Sequence, residues 1–271
     1  RLDTLDSALL REGGLAVSGL RAGGFENLFA KYYYQEKNWG DGGIIQAMDD
    51  FCHAMETTEK QYLFQNTLPI NTAYSIDWEP LVRRISPCYD DRRAAEAFAR
   101  EKHLSDIPTA SELREKFSQE FHGFIQKQLA RPVESLRKAL DEYRPGIPFY
   151  VTHGSGIPCA DHDYKVLAQS ADYLCPMLYT SSVLDFFHGC EAMVQEVGAT
   201  KLLPLVEPCC AEAFNYRDVD TMTAALLCPA FLGTAGVGIW PGIVEEDGGM
   251  NYAIFRAQKL AAPVIGIFRN G

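Results

Sequence analysis

Two short apolar runs in this sequence end in glutamate followed by proline. INTAYSIDWEP carries Glu79 and KLLPLVEP carries Glu207. A proline after a strand removes a ladder donor and turns the chain, so each carboxylate is expected at the tip of a strand with a stiff neighbour behind it. Two carboxyl groups brought to one rim can divide the labour of acid–base chemistry. One holds a proton for a departing oxygen, and the other stays ionised to attack a carbon or stabilise positive charge on it. That pairing suits cleavage of a glycosidic bond, where a separation of about 5–5.5 Å goes with retention and about 6.5–9.5 Å with inversion. Asp77 lies two residues before Glu79 and so faces the same side of an extended strand. Trp78 and Trp240, at or beside strand ends, offer flat apolar faces of the kind that stack on sugar rings. His153, in VTHGSG, ends another such strand and can bind a sugar hydroxyl or orient a carboxylate, and Tyr179, in PMLYT, lies near a further strand end.

The elements that must hold these residues form a repeating pattern of short apolar run, polar or Gly/Pro-rich loop, and amphipathic segment. Strands are expected over 15–20, 70–77, 147–152, 171–178, 201–206 and 235–240. Several are apolar on successive residues, which marks strands buried on both faces, as in a parallel sheet. Helices are expected over 2–11, 43–64, 109–142 with a break at Pro132, 162–170, 183–197, 217–231 and 249–261. Such alternation implies parallel βαβ units, and parallel α/β barrels carry their chemistry at the C-terminal ends of the strands. The expected fold is therefore an α/β chain, a (β/α)8 TIM-type barrel spanning 1–271 as a single domain. Strand ends near 153, 179, 207 and 240 follow one another at the spacing of single βα units. The longer interval from Glu79 to His153 calls for an insertion, a loop-and-helix region at about 84–110. Eight strands close such a barrel. Either two strands lie in 21–42, or the chain lacks the first one or two βα units and further segments complete the barrel.

Composition narrows the partners. The net charge is −11 and the basic residues are scattered, which argues against nucleic acid. No apolar run reaches the length of a membrane span, and no signal peptide is visible at Arg1. No cofactor or metal is expected. The eight cysteines form no CxxC pair, no Cys/His spacing matches a zinc site, and neither HxH nor HExxH occurs. Most of the cysteines read as small buried hydrophobes. Asp161, His162 and Asp163 read as helix-capping residues rather than ligands. Gly154 and Gly156 do not have phosphate-loop spacing.

Over residues 68–262 the chain resembles the (β/α)8 glycoside hydrolases of the large retaining superfamily called clan A. In that family the acid/base glutamate ends strand four and the nucleophile ends strand seven. Taking the visible strands as the third to eighth, the resemblance implies Glu79 as acid/base and Glu207 as nucleophile. It also implies an aromatic near the end of strand six, matched by Tyr179, and a tryptophan at strand eight, matched by Trp240. One departure is Trp78, where the clan usually has the asparagine that binds the sugar 2-hydroxyl. The chain also resembles chitinase-like barrels in Asp77-Trp78-Glu79, Met177-Leu178-Tyr179 and Trp240. There the substrate's own N-acetyl group is the nucleophile, and Asp77 and Tyr179 would orient it. Against that likeness, the motif's earlier aspartates are absent, the residues before Asp77 including Ala73, Tyr74 and Ser75, and Thr180 stands in place of the usual aspartate after Tyr179. The expected partner is a carbohydrate substrate. A barrel that binds carbohydrate without turnover is the remaining alternative, since fold does not fix function.

Overall fold

The structure, a computed structural model, describes residues 17–19, 43–56, 73–78, 86–153, 163–178, 180, 182–206, 219–239 and 256–264. The chain is rich in helix around short parallel strands, and its contacts gather into two compact units. The first comprises Arg1–Tyr150 and Ala160–Ala171, and the second Val151–Cys159 and Asp172–Gly271.

In the first unit β1 (Val17–Gly19) pairs in parallel with β2 (Ala73–Trp78), with Val17 opposite Ala73 and Gly19 opposite Ser75. Helix α1 (Gly43–Glu56) packs on α4 (Ser118–Tyr143). At the edge of that contact Arg131 pairs with Asp49 at 2.8 Å. Phe121, Ile125, Leu129, Val133, Leu136 and Leu140 of α4 are buried at helical spacing, giving the apolar stripe that holds the helix against its neighbours.

The expected break at Pro132 does not occur. Proline inside a helix costs about 3 kcal/mol, yet Pro132 is itself buried and the helix runs through it. Burial of the flanking stripe over 26 residues outweighs one missing donor. The chain breaks instead at Lys116–Phe117, between α3 (Ala110–Glu115) and α4, where Phe117 N–H donates back to the Glu112 carbonyl.

Within the stretch 84–110, the structure has a 3₁₀ turn over Ser86–Asp90 and α2 (Arg92–Glu101). Asp91 caps α2, its carboxylate accepting from the Arg93 and Ala94 amides at 2.9 and 3.2 Å. Phe98 is fully buried and meets Phe117, Phe121 and Phe124 edge-on at centroid distances of 5.8, 5.3 and 5.7 Å. Helix α2 therefore shares an aromatic core with the start of α4. Arg137 closes the unit near β3 (Phe149–His153). Its guanidinium donates to the Ile147 carbonyl at 3.0 Å, pairs with Asp141 and lies over the Phe149 ring. Helix α5 (Tyr164–Ser170) packs on α4 and starts at Asp163, whose carboxylate accepts from Val166 N–H.

In the second unit the end of β3 meets β4 (Tyr173–Pro176) through the Met177 amide, which donates to the His153 carbonyl at 3.1 Å. Parallel bridges join Leu174 to Leu202 and Met177 to Leu205. β5 (Leu205–Val206) then pairs in parallel with β6 (Gly238–Ile239), Leu205 opposite Gly238 and Val206 opposite Ile239. Between these strands run α6 (Val183–Val197), capped by Ser182, and α7 (Val219–Phe231). They pack on each other and on a helix over 256–264, around Phe186, Cys190, Val206, Met222, Ala225 and Ala257.

Each of the six expected strands overlaps an observed one that is shorter, and β2 and β3 end one residue beyond the expected limits. All five residues of β3 are buried, as a strand covered on both faces requires. The expected segment 249–261 is helical over 256–264, and 43–64 over 43–56. The segments 2–11 and 21–42 lie outside the described residues.

Candidate functional site

The strand limits decide where the candidate residues fall along the chain. Asp77 and Trp78 are the last two residues of β2, and Glu79 is the next residue. His153 is the last residue of β3. Val206 ends β5 immediately before Glu207, and Ile239 ends β6 immediately before Trp240. Glu79, Tyr179, Glu207 and Trp240 themselves lie outside the described residues.

The register of the second unit relates three of these positions to one another. Met177, the residue after β4, stands at one level with Leu205 of β5 and Gly238 of β6, joined by the Met177–Leu205 and Leu205–Gly238 pairings. Tyr179, Glu207 and Trp240 each follow those residues by two positions in the sequence.

His153 is completely buried, and its carbonyl ties β3 to β4. Thr152 beside it is buried, and its side chain is hydrogen-bonded to the Cys175 thiol on β4. Burial pushes the Cys175 thiol up to about 12, against a smaller opposing effect of the Thr152 hydrogen bond. That thiol is a packed neutral group and not a nucleophile. The Thr152–Cys175 contact was not legible in the sequence, because it depends on the register of two strands a helix apart. The five described cysteines, Cys52, Cys88, Cys175, Cys190 and Cys228, are buried thiols outside any disulfide, and burial raises Cys52, Cys190 and Cys228 also. Among the described residues no cluster of three or more His, Cys, Asp or Glu side chains could hold a metal ion. Nor is any described helix long and apolar enough to cross a membrane. Asp163 caps α5, as expected, and Asp161 and His162 lie outside the described residues.

In comparisons with known proteins, no family model matches the chain and no curated protein matches it. Among solved structures it is similar to a chitinase from Chromobacterium violaceum ATCC 12472, at 11% identity and a TM-score of 0.41, over 89% of this chain and 98% of that one. A likeness of this degree carries no argument about activity.

Proposed function

We propose that this chain is a glycoside hydrolase built on a (β/α)8 barrel, cleaving by a retaining two-carboxylate mechanism with Glu79 as acid/base and Glu207 as nucleophile. The observation that supports it is the shared level of Met177, Leu205 and Gly238. Side chains two residues apart on a strand share a face. Continued by one such step, the register would set Tyr179, Glu207 and Trp240 side by side at the C-terminal rim, an aromatic on each side of a carboxylate. The ending of β2 one residue before Glu79 supplies the second acid to the reading.

In the first step the Glu79 carboxylic acid protonates the leaving glycosidic oxygen, while the Glu207 carboxylate attacks the anomeric carbon to form a glycosyl ester. In the second, Glu79 takes a proton from water, whose oxygen displaces Glu207 and releases the sugar with its configuration retained. Trp78 and Trp240 would stack on sugar rings, His153 and Tyr179 would bind or orient polar groups at the rim, and Asp77 would tune Glu79 from the same strand face.

The test is covalent trapping with a panel of activated 2-deoxy-2-fluoroglycosides followed by peptide mapping. A mass increase on the peptide carrying Glu207, lost in Glu207→Gln, supports the proposal. Glu79→Gln should lower kcat by about 10²–10⁴ on substrates with poor leaving groups; on an activated glycoside, whose departure needs no acid, added azide should restore turnover by attacking the glycosyl-enzyme to give a glycosyl azide. Loss of activity in Asp77→Asn with turnover kept in Glu207→Gln would assign the substrate-assisted mechanism instead. Glycan binding without turnover would leave a carbohydrate-binding barrel.

A further inference from the structure

We draw no further inference here: the strongest candidate, the open cleft at the C-terminal end of α2 lined by Glu96, Arg100, His103 and Asp106, is built from one continuous stretch of chain with side chains of both charge signs around it, and nothing in the structure shows what covers it.

Discussion

His103 ends α2 with a backbone φ of 53°, in the left-handed region that side chains with a Cβ avoid. The Leu104 amide donates to the Ala99 carbonyl and the His103 amide to Arg100, which is the hydrogen-bond closure glycine usually provides. His103→Gly removes the strain but adds freedom to the unfolded chain. The net gain is expected at about 0.5–1 kcal/mol, read as a higher midpoint in urea with an unchanged slope. Six residues on, Thr109 and Glu112 form a reciprocal cap at the start of α3, with hydrogen bonds of 3.2 and 3.0 Å. Thr109→Ala should cost about 1 kcal/mol. The Lys116 ammonium, and then the Thr109 groups, hold the Glu112 carboxyl down to about 2. A depressed carboxylate contributes stability that is present above its ordinary value near 4.5 and is lost as pH falls through about 2. Because Glu112 is exposed, salt should weaken that contribution. The buried thiols give a fourth outcome. In the native protein, peptides carrying Cys175 and Cys190 should resist an aromatic disulfide reagent that labels them fully in denaturant. Rapid native labelling of Cys175 would contradict its burial.

At the scale of elements, two contacts are the most exposed to mutation. Phe98 joins α2 to the start of α4 through three ring contacts, and nothing else in α2 buries as large a side chain. Phe98→Ala should destabilise by about 3–5 kcal/mol, and Phe98→Leu by less, in thermal or urea unfolding. Similar losses for both would mean that the ring contacts, and not apolar volume alone, join the two helices. In the second unit, a Cβ on Gly238 would run into the Leu205 side chain across the β5–β6 pairing. Gly238→Ala should therefore cost about 1–3 kcal/mol. Leu205 stands two residues before Glu207, so the same change should lower turnover of an activated glycoside more than it lowers stability. An unchanged kcat in a folded Gly238→Ala variant would argue that the β5 tip does not carry the nucleophile.

For the whole molecule, the net charge of −11 and pI near 5.0 set its colloidal behaviour. Solubility should reach a minimum near pH 5, seen as turbidity, because self-repulsion vanishes there. The proposed mechanism adds a second pH signature. Turnover should trace a bell, with an ascending limb from ionisation of Glu207 and a descending limb from loss of the Glu79 proton. Glu79→Gln should remove the descending limb and keep the ascending one. A profile unchanged by that substitution would exclude Glu79 as the acid.

Apolar runs in the sequence were enough to locate the strands, because a strand buried on both faces is apolar on successive residues, as 149–151 and 174–178 are. The limits of α6 were equally legible, since Ser182 supplies a cap and Gly198, at φ 87°, a stop. Glu79 and Glu207 stood out because Glu-Pro after an apolar run marks a strand tip. The uninterrupted path of α4 through Pro132 was not legible, since it depends on how much apolar surface the helix buries against other elements. Nor was the common level of Met177, Leu205 and Gly238. Composition tells a strand that it must be buried, but hydrogen bonds between strands distant in sequence decide which residue stands opposite which, and only the tertiary structure contains them.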